Sequence, residues 1–134
     1  MKFPTLEDIV ELNRQHLKAA GYLKERGSLE WVLDAIQHPI FGVDRYPTLV
    51  EKAAKLAWTI IHGHVFWDGN KRTGMSVLYA FLRWNGYRLN ATSEETVEIA
   101  LRVAEASTGG DYTYEDFVLW VRDRIVIDTE KQWQ

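Results

Sequence analysis

The chain has 134 residues, 46% of them hydrophobic, with 16 Lys and Arg against 19 Asp and Glu for a net charge of -3. That is enough apolar material for one core over residues 1–134, and the acidic balance argues against a nucleic-acid surface, which needs cations in excess. The absence of cysteine excludes disulfides and thiolate metal sites. No uncharged run approaches the roughly 20 residues of a membrane span, and the N-terminal Glu7 and Asp8 sit where a secretory leader would be apolar, so the expected setting is the cytoplasm.

In chain order, Leu6, Ile9, Val10 and Leu17 recur at helical spacing behind Thr5, with Asp8 three residues on. A hydroxyl three residues before an acid satisfies the free N–H groups at a helix start, and the arrangement returns at Thr48 with Glu51, Thr92 with Glu95, and Thr113 with Asp116. Residues 28–37, holding Leu29, Val32, Leu33 and Ile36, predict a second helix that stops before Pro39. Residues 40–47 carry the only strand-like signal, a short hairpin or flap. Behind Thr48, the residues Val50, Ala53, Ala54, Ala57, Ile60 and Ile61 predict a third helix.

Residues 70–85 differ, because Met75, Val77, Leu78, Tyr79, Ala80, Phe81, Leu82 and Trp84 leave almost no polar face before Gly86. A helix apolar nearly all round is a central one. Val97, Ala100, Leu101 and Ala104 follow Thr92, and Phe117, Val118, Val121 and Ile125 follow Thr113, as two further helices. The expected fold is all-α, a compact bundle of about six helices.

Between the third helix and the central one the chain reads I-H-G-H-V-F-W-D-G-N-K-R-T, from Ile61 to Thr73. The segment ends at a helix start, where free N–H groups and the positive dipole end favour anions. His64 is its candidate general base, Asp68 a hard oxygen ligand for magnesium, and Gly69 lets a phosphate approach the backbone. Asn70 is expected to orient a phosphate oxygen or the metal shell, and Lys71 and Arg72 to stabilise the transferring group. Phe66 reads as the anchor of the loop against the core. Trp67 reads as core, with an exposed, partner-contacting tryptophan as the minority alternative.

Blander readings apply elsewhere. His16, His38 and His62 are expected to be packing or capping groups, and a zinc site built on His62 and His64 lacks further ligands. A Walker A loop is excluded, since Lys71 does not follow a glycine and no strand precedes it.

The run His64, Phe66, Asp68, Gly69, Asn70, Lys71, Arg72, Thr73 resembles the signature of the Fic/Doc family, H-P-F-x-[DE]-G-N-G-R-x-x-R in its general Fic form. The stretch Y-P-T-L-V-E-K-A-A from Tyr46 and the stretch L-Y-A-F-L-R-W-N-G from Leu78 extend the resemblance. Lys71 stands where nucleotidyl-transferring members have their second glycine, and Met75 where they have the final arginine; both match the toxins of the Doc branch. The resemblance implies transfer of the γ-phosphoryl group of ATP, with Mg2+, to a hydroxyl of a protein target, with elongation factor Tu as that target. It makes His64 the base, Asp68 the metal-organising acid, and Gly69, Asn70, Lys71 and Arg72 the phosphate cradle, with residues 40–47 as the flap that holds the target extended. No Glu is followed by Gly or Asn, so the family's self-inhibiting [ST]-x-x-x-E-[GN] helix is missing and restraint by a separate antitoxin, through its C-terminal segment, is implied. The alternatives are AMP transfer to a protein hydroxyl, the commoner Fic chemistry, and a non-catalytic helical binding module.

Overall fold

The computed structural model describes residues 1–16 and 22–128. Among these described residues, six helices and two short strands follow in order: α1 (Leu6–His16), α2 (Arg26–Ala35), α3 (Leu49–His62), α4 (Asn70–Trp84), β1 (Tyr87–Leu89), α5 (Ser93–Glu105), α6 (Tyr114–Arg124) and β2 (Ile125–Ile127). All four threonine caps form. Thr5 and Asp8 exchange bonds of 2.9 and 3.1 Å, Thr48 Oγ1 accepts from the Glu51 N–H, and Thr92 and Thr113 close reciprocal boxes with Glu95 and Asp116. Leu17 lies outside the described residues.

The mostly-α bundle matches the expected fold, and α4 is its centre, packed against α1, α3, α5 and β1. Val77, Leu78, Phe81 and Leu82 on α4 meet Ile60 and Ile61 of α3 and Phe117 and Val121 of α6 in one buried cluster. The α3–α4 contact is close because Gly74 has no side chain: a Cβ there would strike Ile61 and come within 3.2 Å of the Ala57 carbonyl. This packing fixes where α4 begins, and so fixes the residues of its first turn.

Three features depart from the sequence expectation. Ile125, which helical spacing assigns to the last helix, is the first residue of β2, pairing with Leu89 in an antiparallel two-stranded ribbon. Strands of three residues carry too little alternation to register against helical spacing. The second helix spans Arg26–Ala35, two residues ahead of the expected span at both ends, and starts with no side-chain cap at Glu25.

The third departure concerns residues 40–47. A tight turn does form, with reciprocal Ile40 and Val43 bonds of 2.9 and 3.0 Å and Phe41 fully exposed at φ +50°. It sits at the N-terminal end of α3, where the Asp44 carboxylate pairs with Lys52 at 3.3 Å. The loop holding His64 is at the other end of that helix, 14 residues long and so about 21 Å away along its axis. The segment that lies along the His64 loop is instead residues 22–25, at the start of α2.

Candidate active site

Helix α3 ends at His62, and Gly69 starts α4 in the left-handed conformation, φ +76°. The seven residues between, 63–69, hold their shape through backbone contacts. The Val65 carbonyl accepts from the Lys24 and Glu25 N–H groups at 2.8 and 3.0 Å, Leu23 and Phe66 form an antiparallel bridge, and the Trp67 N–H reaches the Tyr22 carbonyl at 3.4 Å. Val65 is fully buried and the Phe66 ring is 1% exposed, so two adjacent side chains drive the loop into the core. Phe66 therefore sits in the position expected of an anchor.

Asn70 closes the loop from within. Its Oδ1 accepts from the Phe66 N–H and its Nδ2 donates to the Phe66 carbonyl, both at 2.8 Å, so both ends of the amide are engaged by one residue's backbone. The Asn70 amide thus ties the loop to the start of α4. Asn13 makes a second tie: buried on α1, its Nδ2 donates to the Asp68 carbonyl at 3.0 Å and to Thr73 Oγ1 at 2.9 Å. Sequence reasoning misses Asn13. Its signal is that it lies four residues after Ile9, on the stripe that should be apolar.

His64 is exposed at φ +48°, a left-handed conformation uncommon for a side-chain-bearing residue, and its ring has no hydrogen-bond partner among the described residues. His62 behaves otherwise, its Nε2 lying 2.8 Å from the Ala106 carbonyl and its ring stacked 5.1 Å from Trp58. His38 lies 3.9 Å from Asp34 at the surface, also away from the loop. His62 is thus held by structure and unavailable to a zinc pair, and no group of three acidic or histidine ligands occurs among the described residues.

The Asp68 carboxylate is exposed and accepts from the Gly69 N–H at 2.8 Å through one oxygen, leaving the other outward. A single carboxylate suits magnesium, which keeps several waters and takes the rest of its shell from phosphates. No side-chain bond from the N-cap Gly69 caps α4, which leaves its helix start uncapped beside exposed Lys71 and Arg72. An exposed carboxylate, an uncapped helix start and two exposed cations thus adjoin one another, on the loop that carries His64. Trp67 is 70% exposed, with the Lys24 ammonium 5.1 Å above its ring, as the minority reading had it.

A family model described as Fic/DOC family matches residues 3–82, more than half of the chain. The chain belongs to the Fic/DOC family. Among curated proteins it is similar to Toxin Doc of Mycolicibacterium smegmatis (strain ATCC 700084 / mc(2)155), with 38% identity over 88 residues, 60% of this chain and 68% of that protein. The Fic/DOC match takes in α1 to α4 almost whole and leaves α5 and α6 outside it. No helix among the described residues is long and apolar enough to cross a membrane.

Proposed function

We propose that the chain is a Doc-like toxin of a toxin–antitoxin pair, acting in the cytoplasm as a protein kinase that transfers the γ-phosphoryl group of ATP to a hydroxyl of a protein substrate. The observation that carries this is Lys71 in the first turn of α4, beside uncapped N–H groups. A lysine there fills the space that a second glycine leaves for the α-phosphate in nucleotidyl-transferring relatives, and it favours the reversed nucleotide. Similarity to Toxin Doc supports the same branch.

In this reading the His64 ring accepts the proton of the substrate hydroxyl as its oxygen bonds to the γ-phosphorus and the bond to the β–γ bridging oxygen breaks, leaving ADP. Lys71 and Arg72 take up charge on the transferring oxygens, and the N–H groups of the α4 start add fixed dipoles that need no rearrangement. Asp68 would hold magnesium, which neutralises the phosphates when bound. Asn70 and Asn13 keep His64 and Asp68 in register with the α4 start. The substrate segment lies extended beside residues 22–25, and elongation factor Tu is the target the Doc resemblance suggests.

The antitoxin segment fits a different face. Met75, Val97, Ala100 and Leu101 line an apolar cavity of about 320 Å3 between α4 and α5 that opens on Lys71 and Arg72. Apolar side chains there, with an acid over the two cations, would stop phosphate entry.

Incubation with elongation factor Tu and ATP labelled at the γ or the α position tests the chemistry. Label is expected from the γ position alone, falling by about 10²–10⁴-fold in His64→Ala. Label from the α position alone makes the protein a nucleotidyl transferase. Bacterial growth that is equally unaffected by the wild-type chain and by His64→Ala makes it a binding module.

A further inference from the structure

Helix α3 carries two lysines less than one turn apart, and of these only Lys52 makes an ion pair among the described residues. Lys52 is 7% exposed and pairs with Asp44. Lys55 is half-buried; its ammonium lies 5.1 Å from the Tyr114 ring and 5.7 Å from the Tyr46 ring, with no hydrogen bond or ion pair among the described residues. Burial lowers the Lys55 pKa from its ordinary value, against a smaller upward pull from Glu115.

Lys55 lines a cavity of about 650 Å3 bounded by the first half of α3, by α6 and by the residues that lead into α3. Arg45 and Arg122 bring two more cations to its walls, and none of residues 63–72 contributes. Two acids, Glu51 and Glu115, also line it. The Glu51 carboxylate is engaged by Thr48 Oγ1 at 2.9 Å, and Glu115 makes no ion pair with Lys55. The Tyr114 hydroxyl donates to the Glu51 carbonyl at 2.8 Å, which fixes that ring as a wall, and Leu119 stands 51% exposed alongside.

A cation partly withdrawn from water, held over two ring faces and paired with neither nearby acid, gains from an anion that reaches it directly. An apolar wall beside it favours an anion that brings a body. We propose that this cavity is a second ligand site, binding a small organic oxyanion whose carboxylate or phosphate rests on Lys55 between Arg45 and Arg122, and whose apolar body lies against Tyr114 and Leu119. The site is separate from the His64 loop and does not depend on the reaction performed there.

Nuclear magnetic resonance titration of the full chain with phenyl phosphate, with benzoate and with inorganic phosphate tests it. Saturable shifts are expected at residues 45–55 and 114–122 from at least one phenyl anion, and which of the two binds tells phosphate ester from carboxylate. Lys55→Met should weaken binding by about tenfold or more, the loss of a charge-assisted contact, while Arg72→Ala leaves these shifts unchanged. Arg122→Ser, on an exposed position, should give a smaller loss in the same direction and guards against misfolding of the first variant. The proposal is overturned if neither phenyl anion shifts these residues, if both substitutions leave binding intact, or if inorganic phosphate binds as tightly as the phenyl anions.

Discussion

The two ends of α3 are built to different standards. At its C-terminal end residues 63–69 are tied by the Asn70 amide, by Asn13 and by the doubly bonded Val65 carbonyl, over a Phe66 ring with almost no exposure. At its N-terminal end the turn at residues 40–47 rests on the pair of Ile40 and Val43 bonds and on Asp44, which accepts from the Tyr46 N–H and from Lys52. One end carries redundant constraints and exposed reactive groups, and the other carries few constraints and an exposed Phe41. Under the proposed function, rigid placement is concentrated where atoms would have to meet a substrate within a fraction of an ångström.

The comparison can be broken by substitution. Phe66→Ala should cost the most, about 3–5 kcal/mol for a large buried ring, read as a drop in the urea midpoint. Asn70→Ala removes both bonds to the Phe66 backbone and should cost about 1–3 kcal/mol, with transfer reduced by about 10²-fold or more as the His64 loop drifts. At the other end Asp44→Asn should cost only about 1 kcal/mol, because Asp44 is well exposed, and should leave transfer intact. Lys52→Met, which removes the buried charge itself, should be close to neutral. A cost for Asp44→Asn equal to that of Asn70→Ala would mean that both ends are held alike.

A pH experiment away from both ends supplies the baseline. Hydrogen bonds from Thr92, first from its N–H and then from its hydroxyl, together with the Arg124 guanidinium, hold the Glu95 carboxyl below its ordinary value of 4.5. A depressed carboxyl contributes stability that is complete above pH 4.5 and is lost as the pH falls through the folded value. Glu95→Gln should therefore flatten the acid limb of a stability–pH curve and leave transfer at neutral pH unchanged.

These regions were unequally legible in the sequence. The threonine caps, the buried α4 and the run from His64 to Arg72 announce themselves, because side-chain type alone decides capping, burial and charge. Structure decided by the backbone is silent. The bonds that join residues 22–25 to residues 65–67 require no particular side chains, so the sequence pointed to the turn at residues 40–47, which forms, and was silent on the segment that lies along the His64 loop. Asn70 makes the same point: an amide suits a phosphate oxygen and a peptide unit equally well, and its bonds to the Phe66 backbone come from the fold.

Asn85, at the far end of α4, works as Asn70 does at the near end, exchanging bonds of 2.8 and 2.9 Å with the Lys2 backbone. The two amides differ in their C-terminal neighbours. Asn70 precedes Lys71 inside a helix, whereas Asn85 precedes Gly86, which has no side chain to hinder attack of its backbone nitrogen on the carboxamide, with release of ammonia, once its 3.1 Å bond to the Arg83 carbonyl opens. Conversion to aspartate replaces the donor facing the Lys2 and Phe81 carbonyls with a repelling oxygen. Chemical ageing of this protein should begin there, loosening residues 1–5 in stored samples while the His64 loop keeps its shape, and a peptide map that found Asn70 converted first would contradict it.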